Sequence, residues 1–236
     1  MIRSLLFAAQ MYLAMGILGL VFLPAALVSP DGAIRACKLW CRWVRWTASW
    51  MIGLRTEVRG IPPDGPVLVA AKHQSFLDVI LIFAAMPRPR FVLKAELTRL
   101  PVFGWYVGRL GCVPVEPGKK GETTARMIAA VGRNTRGQVV IYPQGTRVPV
   151  GEVRPYRYGV AALYDHLDQP CVPVATNAGR FWPLGLRRYP GLAVVEFLPP
   201  IAPGLPPDQF LAQLEARIEA SSNALLDADH DPHRHA

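Results

Sequence analysis

Cysteine is scarce in this sequence. The 236 residues contain four cysteines, and no two of them form a C-x2-C pair. A disulfide-stapled secreted domain or a structural zinc site needs more cysteines or a closer ligand spacing. Both classes of protein are therefore excluded. We interpret the four as reduced packing residues on the cytosolic side of the cell: Cys37, Cys41, Cys112 and Cys171.

Acidic residues are also few. There are 17 Asp and Glu residues against 26 Lys and Arg residues, and the formal net charge is +9. A protein this basic attracts an anionic partner, such as nucleic acid, an anionic membrane or a phosphorylated substrate. The sequence has no Rossmann or P-loop glycine pattern, no internal repeat and no nucleic-acid recognition motif. We therefore expect no nucleic-acid partner and favour anionic lipid or a phosphorylated substrate.

The sequence has one long uncharged run, and it lies near the amino terminus. Residues 4–28 carry no charge, and Gln10 is their only strongly polar side chain. A run of this length can cross a bilayer as a helix, whereas the apolar region of a cleaved signal peptide is normally about 7–15 residues long. Pro24 and Pro30 predict a break before the next helix. We interpret the run as a membrane anchor.

The next segment, residues 31–52, has the composition of an interfacial helix. Its basic residues recur at steps of three and four and so share one helical face. Basic residues with tryptophan suit the boundary between headgroups and acyl chains, although a core-packed helix with a solvated stripe is the alternative. Residues 1–52 are predicted to form a two-helix membrane-anchoring hairpin that enters one leaflet rather than a full span. The residues concerned are Arg35, Lys38, Arg42 and Arg45, with Trp40, Trp43, Trp46 and Trp50.

Strand-like runs alternate with helical patterns in the rest of the chain. The expected strands are residues 55–59, 67–71, 90–94, 112–116, 138–142, 171–175 and 193–198; the expected helices are 77–86, 103–110, 122–134, 160–167 and 208–228. This alternation predicts an α/β domain over residues 53–226, with a mixed, largely buried sheet of about seven strands flanked by helices. Asp208 is a candidate N-cap. The polar tail, residues 227–236, is expected to be disordered and to hold no functional metal site.

His73 and Asp78 stand where a short apolar run gives way to a helical pattern. A neutral imidazole accepts a proton readily near neutral pH, and a carboxylate bonded to its other nitrogen fixes the tautomer. Ser75 and Asp78 also fit a capping box, so the plain alternative is that Asp78 only caps its helix beside an interior histidine. Ser75 is disfavoured as a nucleophile because no G-x-S-x-G elbow surrounds it.

A second polar segment, Gln144-Gly145-Thr146-Arg147, follows directly after an expected strand. Backbone amides at such a turn and the donor fork of an arginine bind phosphate well, although an ordinary turn with a solvated arginine is the alternative. Lys94 ends another expected strand and is a candidate for the same cleft, or for a surface pair with Glu96. Pro173 lies inside a later strand, which predicts an edge or a bulge that shapes a groove for an acyl chain.

Together these segments resemble the glycerolipid acyltransferase family, and within it the bacterial 1-acylglycerol-3-phosphate acyltransferases. That family has four ordered blocks: H-x4-D; K-x-E-L followed by P-x-x-G; a strand followed by E-G-T-R; and V-P-[VI]. The corresponding residues occur in the same order within residues 67–182. They are His73 and Asp78; Lys94, Glu96 and Leu97 with Pro101 and Gly104; Gly145, Thr146 and Arg147; and Val172, Pro173 and Val174.

The resemblance implies an enzyme that moves a fatty acyl group from acyl-CoA or acyl carrier protein to the 2-hydroxyl of lysophosphatidic acid, giving phosphatidic acid in phospholipid biosynthesis. In that role His73 is the base and Asp78 orients it, while Gly145, Thr146 and Arg147 hold the phosphate. No metal or other cofactor is implied. Such an enzyme is expected at the inner (cytoplasmic) membrane, in contact with anionic lipid, with its active site facing the cytoplasm where thioester donors are made.

Two departures from the family pattern bear on the phosphate site. Gln144 stands where the family commonly has Glu, so hydrogen bonding is kept and charge is lost. Pro117 stands where the family commonly has Arg. We expect Arg109, Lys119 or Lys120 to replace that arginine in binding the substrate.

Two alternatives stay open from the sequence. The missing arginine at Pro117 favours another lyso-lipid acceptor, such as a lyso-ornithine lipid. From a different class, a non-catalytic membrane adaptor would bind anionic lipid through the same basic surface. The retained His73 and Asp78 argue against the adaptor.

Overall fold

The computed structural model describes residues 1–116, 121–132 and 137–228. The α-helices of this part of the chain are α1 (Ile2–Val21), α2 (Leu23–Val28), α3 (Pro30–Met51), α4 (Phe76–Ala85), α5 (Phe103–Arg109), α6 (Glu122–Gly132), α7 (Gly159–Leu167), α8 (Ala178–Phe181) and α9 (Pro207–Asp227). The strands are β1 (Leu54–Arg59), β2 (Val67–Ala71), β3 (Pro89–Lys94), β4 (Val113–Val115), β5 (Gln138–Ile141), β6 (Cys171–Thr176) and β7 (Gly191–Phe197). A short 3-10 helix covers Ala95–Arg99.

The described strands form one sheet in the order β1-β7-β6-β2-β5-β3-β4. Every neighbouring pair is parallel except β6 and β7, which are antiparallel. The expected mixed α/β sheet of seven strands is confirmed. Observed strand bounds differ from the expected ones by no more than two residues, because each strand is a compact apolar run bounded by polar or turn residues.

The central strand β2 is buried on both faces along its whole length. Successive side chains of a strand point to opposite faces. Val67, Val69 and Ala71 therefore pack with α3 and α4, while Leu68 and Ala70 pack with α7 and α9. The loop that follows β2, which carries His73, thus leaves a strand held from both sides.

The prediction that Pro173 lies on an edge strand of the sheet is wrong. β6 lies inside the sheet between β7 and β2. Its antiparallel pairing with β7 stops at the pair of Val174 and Phe197 and resumes only at an isolated bridge between Cys171 and Ile201. Between these two pairs, the segment that follows β7 has one residue more than β6, and this extra residue forms a bulge. Proline is tolerated in a central strand here because the ladder is interrupted at its missing N–H.

Asp208 is not the N-cap of α9. The helix begins at Pro207, with Pro206 before it and no side-chain cap, so Asp208 lies in the first turn. Its carboxylate there faces the positive end of the helix dipole. The expected end of α6 at Asn134 and residues 229–236 of the tail lie outside the described residues.

The amino-terminal helices are broken where the prolines predict. Pro24 lies in the first turn of α2, and Pro30 begins α3. Gln10 of α1 donates to Thr47 Oγ1 at 3.0 Å and accepts from Trp43 Nε1 at 2.7 Å, which holds α1 against α3. Among the described residues, α1 is the one helix long and apolar enough to cross a membrane, with a mean hydropathy of 1.8. The structure therefore contains one helix of spanning length next to an amphipathic one.

All four cysteines are free thiols. Burial raises the pKa of the Cys112 thiol to about 11 and also raises the pKa of Cys171. Both thiols are therefore protonated near neutral pH, as expected of packing residues rather than of nucleophiles or metal ligands.

Candidate active site

The two polar segments of the sequence meet at the carboxyl ends of the parallel strands, which form one end of the sheet. β2, β5 and β3 run parallel, so their carboxyl ends lie together, and ligands of open α/β sheets bind at this end. The loop after β2 carries His73, and the loop after β5 carries Gly145 and Arg147. The amide of Val148 donates to the carbonyl of His73 at 2.8 Å. The fold therefore holds the two loops in direct contact.

His73 and Asp78 form a hydrogen-bonded pair. His73 Nδ1 lies 3.1 Å from Asp78 Oδ2. The same oxygen accepts from the amides of Gln74 at 2.7 Å and Ser75 at 2.9 Å. The Asp78 side chain is fully buried, and the His73 side chain is 16% exposed. Because Nδ1 is bonded to the carboxylate, Nε2 is the nitrogen left to exchange a proton.

Capping and orientation by Asp78 are one arrangement. Ser75 is the N-cap of α4, and its Oγ accepts from the amide of Leu77 at 3.1 Å. The sharp turn that caps the helix is also the turn that brings Asp78 to His73. Ser75 Oγ donates to the carbonyl of Trp182 at 2.7 Å. Its hydroxyl is committed to the fold, and this contact gives no support to a serine nucleophile.

The ring of Tyr142, the first residue after β5, stacks on the imidazole of His73. The ring centroids are 3.9 Å apart and the planes differ by 17°. Burial, and to a lesser degree the charge of Asp78, raise the pKa of Tyr142 well above its ordinary value. A neutral flat ring therefore fixes the plane of the imidazole. Tyr142 was not among the residues predicted from the sequence; its place at the end of a strand, just before the Pro-x-Gly turn, is the signal that points to it.

The turn after β5 requires glycine. Gly145 has a φ of 69°, and a Cβ at this position would lie 2.9 Å from Nε of Arg157. The amide of Gly145 donates to the carbonyl of Tyr142 at 2.9 Å. Thr146, half-buried, and Arg147, exposed, follow on this turn. An exposed guanidinium on a rigid turn beside His73 is free to bind an anion.

The remaining residues of the polar segments have different positions. The side chain of Gln144 is buried, and its Nε2 donates to the carbonyl of Arg154 at 3.2 Å. Gln144 therefore holds the loop through Nε2, while its buried Oε1 has no hydrogen-bond partner among the described residues. Lys94 is exposed at the end of β3, at the same end of the sheet as His73. Within the described residues no ion pair joins Lys94 to Glu96.

Arg109 contacts the amino-terminal helices. Its Nε and Nη2 donate to the carbonyls of Ala26 and Leu27 at 2.8 and 3.1 Å. These are carbonyls of the last turn of α2, which a cation stabilises. A role of Arg109 in phosphate binding stays a prediction, and its contacts give that role no support. The other two expected replacements, Lys119 and Lys120, lie outside the described residues. So does Pro117, which stands where the family commonly has arginine.

Comparison with known proteins identifies the family. A family model described as Acyltransferase matches residues 55–177. The 1-acyl-sn-glycerol-3-phosphate acyltransferase of Pseudomonas aeruginosa is 33% identical over 188 residues, which cover 77% of this chain and 72% of that protein. The 1-acyl-sn-glycerol-3-phosphate acyltransferase alpha of Mus musculus is 29% identical over 171 residues, covering 68% of this chain and 60% of that protein.

A solved structure shares the fold. The 1-acyl-sn-glycerophosphate (LPA) acyltransferase PlsC of Thermotoga maritima aligns with a TM-score of 0.79, covering 95% of this chain and 96% of that chain at 20% identity. With the family model and the Pseudomonas relative, the conclusion is plain: this chain belongs to the acyltransferase family. The resemblance found in the sequence is confirmed.

Proposed function

We propose that the protein transfers a fatty acyl group from an acyl thioester to the 2-hydroxyl of 1-acylglycerol-3-phosphate, giving phosphatidic acid for phospholipid biosynthesis. The observation that carries this proposal is the contact between His73 and Asp78 beside the turn of Gly145 and Arg147. The relatives from Pseudomonas aeruginosa and Mus musculus, which bear the name of this activity, support it.

The chemistry follows from the free nitrogen of His73. An alcohol is a poor nucleophile until it loses its proton. His73 Nε2 takes that proton while Asp78 stabilises the imidazolium. The acceptor oxygen bonds to the thioester carbonyl carbon, the carbon–sulfur bond breaks, and the imidazolium returns its proton to the leaving thiolate. Transfer is direct, from acyl-CoA or acyl carrier protein, and needs no metal or further cofactor.

A panel of acceptors tests this function. The purified protein is offered 1-acylglycerol-3-phosphate, a lyso-ornithine lipid, lysophosphatidylcholine and monoacylglycerol, each with acyl-CoA and with acylated acyl carrier protein, and products are identified by mass. We expect phosphatidic acid to form fastest. Faster acylation of the lyso-ornithine lipid would replace the proposed acceptor. No acylation of any acceptor would leave the adaptor alternative.

Arg147→Ala is expected to raise KM for lysophosphatidic acid by about tenfold or more, because a hydrogen bond to a charged group contributes about 1.5–3 kcal/mol. KM for the thioester should change little. Steady-state kinetics with each substrate varied in turn give both values. Arg154→Ala is the matched control, since Arg154 is an exposed arginine of the same region that pairs with Glu152 at 3.5 Å. Equal changes in both KM values would remove Arg147 from phosphate binding.

We also propose that α1 and α3 bind the protein to the cytoplasmic side of the inner membrane. Leu13 and Leu20 of α1 are 64% and 65% exposed, and Trp46 and Trp50 of α3 are 57% and 62% exposed. Large apolar side chains exposed together on neighbouring helices mark a membrane or protein interface. The tryptophans form a row, with Trp43, Trp46 and Trp50 at centroid separations of 5.3 and 5.7 Å, as suits the headgroup boundary.

Two adjoining clefts support an anionic lipid as the partner of this surface. One is cationic and is lined by Arg42, Arg45, Trp46, Ser49, Arg55 and Thr56. The other is apolar and is lined by Leu18, Leu39, Arg42, Trp43 and Trp46. They share Arg42 and Trp46, so cationic surface suited to a phosphate headgroup adjoins apolar surface suited to an acyl chain.

A cysteine in an amino-terminal tag is expected to resist an impermeant maleimide added to intact cells, because a re-entrant hairpin keeps both ends cytoplasmic. Labelling of the native cysteines is expected to be low, since burial raises the pKa of all four thiols, that of Cys112 to about 11, and keeps them protonated. Labelling after lysis shows that the tag itself is reactive. Labelling of intact cells would instead mean that α1 spans the bilayer with its amino terminus outside.

A further inference from the structure

Arg188 lies at the same end of the sheet as the catalytic pair. It belongs to the loop that leads into β7, which starts at Gly191. β7 is antiparallel to β6, so the beginning of β7 lies beside the end of β6. Since β6 and β2 are parallel, this is the end of the sheet that carries His73. The topology thus brings a distant arginine to the site.

The guanidinium of Arg188 is held in place by the surrounding loop. Its Nη1 donates to the carbonyls of Gly185 and Arg187 at 2.7 and 2.8 Å. Its carbon Cζ lies 4.4 Å from the centroid of the Trp182 ring, a favourable cation–π distance. The backbone amide of Arg188 donates to Ser4 Oγ of α1 at 3.1 Å. These contacts fix the position of the side chain without neutralising its charge.

One donor of the same guanidinium, Nε, lacks a hydrogen-bond acceptor in the described structure. Its Nε is buried and has no hydrogen-bond partner among the described residues, and no carboxylate there pairs with it. The Nε and Nη2 edge is the side that binds oxyanions in a bidentate manner. Burial lowers the pKa of Arg188 to about 10; the hydroxyl of Tyr12 opposes this shift, and the positive charge of Arg147 adds to it. The group stays charged at neutral pH, close to a second cation.

Trp182 connects Arg188 to the catalytic residues. Its carbonyl accepts from Ser75 Oγ at 2.7 Å, and Ser75 is the N-cap that positions Asp78. One side of Trp182 thus supports the His73 loop, and its ring supports Arg188. An anion bound by Arg147 and Arg188 would lie at the end of the sheet that carries His73.

We propose that Arg188 is a second phosphate-binding residue, which acts with Arg147 to hold the phosphate monoester of the lyso-lipid acceptor. This inference rests on the proposed function and deepens it. A phosphate monoester carries up to two negative charges near neutral pH, so two arginines match its charge. Binding also relieves the repulsion between the two guanidinium groups and supplies an acceptor to the buried Nε.

Arg188→Met tests the assignment, since methionine keeps an unbranched apolar chain on Trp182. Binding of lysophosphatidic acid and of monoacylglycerol in micelles is measured by calorimetry with no thioester present, and kinetics follow with both acceptors. We expect Arg188→Met to weaken lysophosphatidic acid binding by about 10–100-fold, the equivalent of one charge-assisted hydrogen bond. Monoacylglycerol binding and KM for the thioester should be unchanged. Arg187→Met, an exposed neighbour with the same charge change, is the control.

The outcomes separate this inference from the proposed function. Unchanged lysophosphatidic acid binding in Arg188→Met, or equal losses for both acceptors, overturns the role of Arg188, whatever the turnover. If the unaltered protein transfers no acyl group to any acceptor, the proposed function is overturned instead. If Arg188→Met lowers the unfolding temperature, Arg188→Lys replaces it as the test. Lysine keeps the charge but not the bidentate edge, so it should weaken phosphate binding several-fold, and an unaltered affinity would again reject the role.

Discussion

Replacing His73 with alanine is expected to lower kcat for acyl transfer by about 10²–10⁴-fold, the usual contribution of a general base. In His73 the ring nitrogen left to take a proton is Nε2, since Nδ1 is bonded to Asp78 Oδ2 at 3.1 Å. Without the imidazole the proposed base is lost, and the acceptor hydroxyl keeps its proton. Turnover of the purified variant with lysophosphatidic acid and a thioester, both saturating, gives the ratio.

Asp78→Asn is the companion to this variant. An asparagine oxygen can still accept from the amides of Gln74 and Ser75, which now reach Asp78 at 2.7 and 2.9 Å. The fold should therefore survive, while the charge that stabilises the imidazolium is lost. We expect a smaller loss of kcat than for His73→Ala. A well-folded His73→Ala enzyme with near-normal turnover would refute the proposed mechanism.

The contact between His73 and Asp78 could be predicted from the sequence because its geometry is local. His73, Ser75 and Asp78 lie within one turn, and a capping box describes most of their contacts. Gly145 was predictable for a similar reason, since a turn after a strand favours a residue that adopts positive φ. The strands were predictable from their own apolar runs, with β2 as the clearest example.

The partners of the pair depend on long-range packing and were not predictable. Tyr142 reaches His73 only because β5 pairs with β2, and Arg188 reaches the site only because β7 turns antiparallel beside β6. Arg109 illustrates the converse. Its sequence position suggested the phosphate, but its donors meet the open carbonyls of α2. The target of a flexible cation is set by whichever acceptors the fold brings near, and local spacing does not reveal them.

Replacing Glu219 with alanine is expected to lower the free energy of unfolding by about 3 kcal/mol, the low end of the usual effect of removing one partner from a buried ion pair, because the Glu219 side chain is 27% exposed. Lys72, which precedes His73, is 3% exposed, and its Nζ lies 2.6 and 2.7 Å from the two carboxylate oxygens of Glu219. Tyr156 donates to the same carboxylate at 2.9 Å. The alanine variant therefore leaves a buried ammonium and a buried hydroxyl without their acceptor. Denaturant unfolding in the purification detergent measures the change.

The double variant Lys72→Met with Glu219→Gln decides whether the unpaired charge is the cause. It removes both charges and keeps an amide oxygen for the hydroxyl of Tyr156, so it should recover most of the stability lost by Glu219→Ala. Asp227→Asn, an exposed residue in the last turn of α9 without an ion pair in the described chain, is the control and should change stability by less than about 0.5 kcal/mol. If the double variant stays as unstable as Glu219→Ala, the loss comes from the packing of α9 rather than from the Lys72 charge.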